Sequence, residues 1–481
     1  MKTIPKHMEI GREKQLPSLR FPEFNYNWIE KRYGDTFVFK QTNSLPRESL
    51  NYKKGTVKNI HYGDIHTKFK TNFDILDETV PYINDGIDIS NIYKENYCKE
   101  GDIIIADASE DYDDVGKVIE IRNLDNQEVV AGLHTYIARP KQKLFKPGFL
   151  SYLMQSRAVR LQIMMLAQGI KVYGISKSQL SKVLFKIPNL LEQQKIADFL
   201  SSVDKKIQQL TRKKELLEQY KKGVMQKIFR QEIRFKPEKA GFGPSTGSGF
   251  SDQLTELVEV SKLKVDDRAQ HPSKNGGNES NPVVEPCRNY PDWKTVTMGE
   301  VFERVTRKNK ENNSNVITIS ALHGLINQED FFNKSVAALD VTSYYLLDKG
   351  EFAYNKSYSK GYPMGAIKRL KKYDKGVVST LYICFKIREA HVPEFYEEFL
   401  DNGGINRELH KIAQEGARSH GLLNLSVVEF FKDVKIPKPS FAEQKRIADF
   451  LSNLTIRIEW TFKQLEQTQQ FKKGLLQQMF V

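Results

Sequence analysis

Cysteine is scarce: three thiols, Cys98, Cys287 and Cys384, lie too far apart in the chain to form a C-x-x-C pair. That usage fits a reducing compartment, with each thiol serving as a small buried side chain. Other absences exclude whole classes of chemistry. No His-Glu-x-x-His or cysteine pair supplies a zinc site, and the nine histidines form no cluster. No G-x4-G-K-[ST] occurs, so a P-loop is excluded; Gly169–Gly174 has the glycine spacing without the lysine and reads as a turn. There is no Pro-Pro pair, hence no Asp/Asn-Pro-Pro-aromatic motif of an amino-methyltransferase. Pro291-Asp292 begins like a nuclease carboxylate motif, yet no Asp/Glu-x-Lys follows it within 30 residues. Apolar runs such as Leu161–Ala167 fall far short of a bilayer span. The opening MKTIPKHMEIGREKQ has no apolar core of the kind a secretory signal needs. The expectation is a cytoplasmic protein that meets no membrane, with no cofactor or metal of its own.

What is present is positive charge and repetition. Lys and Arg exceed Asp and Glu by 14, an excess that favours a polyanionic partner. With 39% apolar and 28% charged residues over 481 positions, the chain has room for about three domain-sized pieces. The strongest feature is written twice. Glu192–Phe229 and Glu443–Phe480 align without a gap at an offset of 251, with 16 identities in 38 positions. In the first copy Ile196, Leu200, Val203, Ile207, Leu210 and Leu217 follow an alternating 4-3 spacing, broken by Lys214 and Lys221. In the second, Ile447, Leu451, Leu454, Ile458, Leu465 and Leu475 do the same, broken by Thr461, Thr468 and Lys472. A narrow apolar seam of period 3.5 keeps facing one partner helix over many turns. Two matched rods in one chain are expected to pair with each other as a coiled coil.

The repeat extends beyond the rods. Trp28, Gly34 and Phe37 return at identical spacing as Trp293, Gly299 and Phe302. Strand-like runs at 101–106, 116–121 and 134–139 have counterparts at 350–354, 365–368 and 377–387, and helical stretches are expected at 149–165 and 393–412. Each half then shows Gly-x4-Gly, at 168–175 and 415–422, and passes through Ile-Pro into its rod. The expected organisation is an arm (1–20), a mixed α/β domain (21–186), a spacer helix (187–230), a Gly/Ser/Asn/Pro-rich linker (231–287), a second α/β domain (288–435) and a second spacer helix (436–481).

Nothing here asks for catalysis, whereas several loops suit binding. Lys171 and Tyr173 lie in the first Gly-x4-Gly, Arg418 and His420 in the second, and Lys356, Tyr358, Lys360 and Tyr362 precede Gly365. Arg and Lys neutralise phosphates or reach guanine edges, and other polar groups read other base edges.

The repeated IP…EQ(Q/K)(K/R)IADFLS leading into a helix that ends KKG(V/L)(M/L)Q(K/Q)(I/M)F, with the W-x5-G-(D/E)-x-F openings, resembles the DNA-specificity subunit of a type I restriction-modification system. The resemblance implies an α+β mixed fold with two target-recognition domains separated by two long helices in an antiparallel coiled coil. It implies that each domain reads one half of a bipartite, asymmetric site in double-stranded DNA, and that the helices dock two modification subunits. Those partners would carry S-adenosylmethionine and methylate adenine N6, while restriction subunits would bring ATP and Mg. Two rivals remain: a coiled-coil scaffold that never reads DNA, and a self-contained methyltransferase or nuclease.

Overall fold

The computed structural model describes residues 16–235, 292–320, 324–329, 340–358, 361–413 and 423–481. Cys287, Lys360, Arg418, His420 and most of the expected linker lie outside them. The chain divides into two units, Met1–Lys214 with Trp460–Val481, and Glu215–Glu459. Both long helices, Leu190–Phe229 and Phe441–Gln478, contribute to each unit.

In the first unit a five-stranded sheet runs in the order Phe37–Lys40, Thr135–Pro140, Ile103–Ala106, Val118–Asn123, Asn72–Asp74. Side chains alternate across a strand, and here both faces are covered. Ile103 and Ile105 join one cluster with the helices Phe149–Gln155 and Arg157–Leu166, while Ile104 and Ala106 join another with Ile60 and Val129 of a second, four-stranded sheet. A strand buried on both faces reads as the unbroken apolar run Ile-Ile-Ile-Ala.

The second unit repeats the plan with a four-stranded sheet: Phe302–Arg304, Ile383–Ile387, Phe352–Asn355, Ala366–Arg369. Phe352 and Tyr354 face the helical cluster that includes Phe395 and Phe430; Ala353 and Cys384 face a smaller cluster with Leu347 and Val378. The buried, unpaired Cys98 and Cys384 are packing groups in this arrangement. No helix among the described residues is long and apolar enough to cross a membrane.

Three expected elements are divided. The helical stretch from Phe149 breaks at Ser156, whose hydroxyl accepts from Val159 N and starts a second helix. The stretch from Pro393 breaks at Gly403, whose φ of +74° turns the chain before Asn406–Ile412. The run at 377–387 becomes two strands, Lys375–Val378 and Ile383–Ile387, in different sheets.

The frame shared by the units explains the repeated residues. Glu192, with no side-chain exposure, accepts from Arg20 Nε (2.6 Å) and Nη2 (2.7 Å) and from Trp28 Nε1 (3.3 Å). Glu443 accepts from Arg234 Nε (2.6 Å) and Nη2 (2.9 Å) and from Trp293 Nε1 (3.1 Å). The neighbouring glutamine secures loop backbone in each unit: Gln193 accepts from Lys146 N and donates to Pro188 O, and Gln444 accepts from Val392 N and donates to Pro439 O. The repeated glycines lie against a helix, since a Cβ at Gly34 would come within 2.9 Å of Ser181 Cβ, and one at Gly299 within 3.0 Å of Phe431 O.

The seam residues turn inward. Ile196, Leu200, Val203 and Leu210 are buried, with Ile207 and Leu217 half-buried; Ile447, Leu451, Leu454, Leu465 and Leu475 are buried, with Ile458 half-buried. In the first unit Ile196, Leu200 and Val203 share a cluster with Leu475, Met479 and Phe480. Lys472 bonds Asp204 there (2.7 Å) and Lys214 lies 5.8 Å from the Phe462 ring. Rising numbers in one helix meet falling numbers in the other, so the pair is antiparallel. The second unit does the same: Val224, Met225 and Ile228 cluster with Ile447, Leu451 and Leu454, and Lys221 donates to Thr455 Oγ1 at 2.7 Å. The lysines that interrupt the apolar seam are therefore its cross-links, a use of seam polarity that specifies register.

Truncating a fully buried leucine removes apolar contacts and leaves a cavity, at a cost of about 2–5 kcal/mol. Leu200→Ala and Leu451→Ala are each expected to lower stability by that amount in denaturant titration. Unshifted unfolding curves would contradict a buried seam.

Candidate nucleic-acid interface

On the first unit, strand Leu50–Asn51 ends in a turn that presents Tyr52, Lys53 and Lys54 to solvent. Asn51 Oδ1 accepts from the backbone N of both lysines (2.8 and 3.0 Å), the local bonding by which Asn shapes turns. Lys68 Nζ reaches Tyr52 OH (2.9 Å) and Asp64 (2.9 Å). Arg47 grips the Asp64 carboxylate with both terminal nitrogens, each at 2.6 Å. Burial alone would raise the Asp64 carboxyl; hydrogen bonds from Arg47 and Lys68 outweigh it and hold the group below its ordinary value. Two cations sharing one buried anion, beside the exposed Lys53 and Lys54, leave an excess of positive charge next to an aromatic ring.

His61, Tyr62 and His134 adjoin this cluster. The Tyr62 ring lies 4.7 Å from His61 and 5.3 Å from His134, between centroids. Burial, and then the charge of Arg47, push the His61 imidazole below its usual range. Beside His134 opens a cavity of about 400 Å³ whose lining joins the amides of Gln41, Asn43, Asn91 and Asn96 and the ring of Tyr136 with the carboxylates of Asp88 and Asp107 and the apolar Leu45 and Ile92. Lys177 Nζ lies 5.1 Å from the Tyr136 ring. Cations, exposed rings and side-chain amides in one neighbourhood can neutralise phosphates, stack and exchange hydrogen bonds with base edges. At the opposite end of the same sheet a groove of about 680 Å³ carries Lys99, Arg122, Lys141, Lys143 and Lys146.

The candidate residues expected from the sequence are scattered. Lys171 sits at the exposed tip of a turn between Ile170 and Val172, closed by paired bonds between Gln168 and Gly174. Tyr173 pairs with Ser109, its ring 5.0 Å from Tyr112 and hence beside the acidic run 110–114. In the second unit Lys356 is half-buried and its carbonyl accepts from Leu423 N. Tyr362 OH donates to Asp401 (2.9 Å) and accepts from Lys368 (3.0 Å), a clasp between loop and helix. Exposed basic and aromatic groups of that unit include Tyr358, and Lys308 lies 4.5 Å from the Tyr345 ring. The Tyr52 cluster escaped the sequence reading although Asn-Tyr-Lys-Lys-Gly at 51–55 is itself a basic, aromatic turn.

Comparison with known proteins follows the same lines. Residues 25–219 match the family described as Type I restriction modification DNA specificity domain. A type I restriction enzyme specificity subunit assigned in Methanocaldococcus jannaschii (MjaX) is 27% identical over 150 residues, covering 30% of this chain. The match spans only 35% of that relative's length. In fold, the crystal structure of the type I restriction-modification S subunit from M. genitalium aligns with a TM-score of 0.52 at 14% identity, over 97% of this chain and 99% of the other.

Removing both charges of the turn in Lys53→Ala/Lys54→Ala is expected to weaken binding to any duplex. If both lysines meet phosphates, the slope of log K against log salt falls by about 2. A salt titration of fluorescence anisotropy measures it; an unchanged slope would show that this turn does not face DNA.

Proposed function

Because residues 25–219 match the family described as Type I restriction modification DNA specificity domain, we propose that this chain is the sequence-reading, non-catalytic subunit of a DNA modification and restriction complex. Each unit reads one part of a bipartite, asymmetric site, and the helices common to both units set the number of unread base pairs between the parts. Two modification subunits carrying S-adenosylmethionine dock on the chain and methylate adenine N6, and restriction subunits working with ATP and Mg join for cleavage. Two modest readers on one chain bind far more tightly than either alone, because the second contact forms at high effective concentration.

The observation that carries this reading is the duplicated frame around dissimilar surfaces. Arg, Trp and Glu form the same clamp in both units, whereas the basic turn at Tyr52–Lys54 and the loops at 41–45 and 88–96 that help line the cavity of the first unit lie outside the residues that the sequence repeats. One scaffold with two different faces suits an asymmetric target. A scaffold that only gathers proteins needs no such cationic, amide-rich face.

Mapping N6-methyladenine across the source genome, with and without this gene, tests the proposal. The expected result is the loss of methylation at one bipartite motif. Unchanged methylation would refute it, and loss without any common motif would favour the scaffold reading.

A further inference from the structure

We propose that His134 is a base-reading residue of the first unit, accepting at Nε2 a hydrogen bond from the exocyclic amino group of an adenine or cytosine, with Asp107 as its positioning residue. This rests on the DNA-reading function proposed above and names one contact within it.

His134 is held in an unusual way. Its φ of +56° puts a bulky, non-glycine residue in the left-handed region, an arrangement that persists only where surrounding contacts enforce it and that concentrates at functional positions. Asp107 supplies two of those contacts. Its backbone N donates to His134 O (3.1 Å), and its carboxylate lies 3.1 Å from His134 Nδ1. Asp107 is itself anchored, its carbonyl accepting from Ile175 N at 2.9 Å. The Tyr62 ring stands edge-on at 5.3 Å and limits rotation of the imidazole.

The chemistry follows from this orientation. A carboxylate only accepts, so the proton of the neutral ring sits on Nδ1 and Nε2 is left as an acceptor. Half of the side chain is exposed, at the mouth of the cavity of about 400 Å³. In the major groove, adenine N6 and cytosine N4 are donors, whereas guanine O6 and thymine O4 are acceptors. An acceptor fixed at that place therefore pairs with the first two and meets the others lone pair to lone pair. Lys177 beside Tyr136 and the Tyr52–Lys68–Arg47 cluster provide cations for the adjoining backbone.

The test uses the full complex with its modification subunits, a pool of randomised duplexes, and sequencing of the methylated products. His134→Ala removes the acceptor, and His134→Gly removes it while tolerating the left-handed backbone. Both are expected to relax one position of one half-site from adenine or cytosine to any base, a loss of about 2- to 10-fold in preference for a single hydrogen bond. Asp107→Asn is expected to weaken preference at that same position. An unchanged motif in His134→Gly, or equal weakening at every position of both halves, would overturn the inference. A wild-type complex that selects no sequence would sink the proposed function as well; a selective wild type with indifferent variants sinks only the role of His134.

Discussion

A carboxylate at the start of each long helix, buried at Glu192 and half-buried at Glu443, is the constraint on which the rest depends. Glu192 has no exposed side-chain surface, and an unpaired charge in that position is untenable; removing one partner of such a pair typically costs about 3–5 kcal/mol. The clamp binds three separate stretches of chain. Trp28 or Trp293 brings the opening of a domain, the glutamate brings the long helix that leaves it, and the arginine brings a third segment. In the first unit that segment is the arm, whose Leu19 N bonds Gln478 O at the end of the second long helix. In the second unit it is the stretch that continues directly from the first long helix, through Gln231 to Arg234. The same junction is thus made once by the arm against the end of the second long helix and once by the continuous stretch that follows the first. The aromatic contacts agree: Phe21 meets Phe199 at 5.9 Å, and Phe235 meets Phe450 at 5.6 Å.

With the clamps in place, the seam needs only to hold register. Apolar side chains alone would tolerate sliding, because one leucine fits the place of another. The charged interruptions do not tolerate it. Lys472 meets Asp204, which also accepts from Tyr152 OH (2.8 Å), and that hydroxyl in turn accepts from Asn72 on the edge strand. Lys221 meets both Thr455 and Glu398. A shift of one turn, about 5.4 Å, would strand each of these groups, so the polar positions bind the helices to the domains at one setting.

The long helices and the frame were legible because their signals are local or repeated. A 4-3 apolar spacing needs no knowledge of the fold, and duplication alone singles out Trp28, Gly34 and Glu192 with their counterparts Trp293, Gly299 and Glu443, though not the arginines that complete the clamps. Breaks in elements were less legible: Ser156 reads as an ordinary helix-tolerated residue until its hydroxyl is seen to cap the following turn. The candidate interface was the least legible part. Composition flags lysine and tyrosine wherever they occur, but only tertiary contacts separate Tyr362, clasped to Asp401, from Tyr52, set beside Lys68 at an exposed turn. His134 carried no sequence signal, since its left-handed backbone and its bond to Asp107 are products of the folded sheet.

The most direct test of the account lengthens the helices in matched register. One heptad inserted into each adds about 10 Å of rod, roughly three base pairs at 3.4 Å per step. Sequencing of the DNA sites that the altered complex methylates reads the outcome. The account predicts the same two half-site sequences separated by a wider gap; an unchanged gap, or altered half-sites, would contradict it.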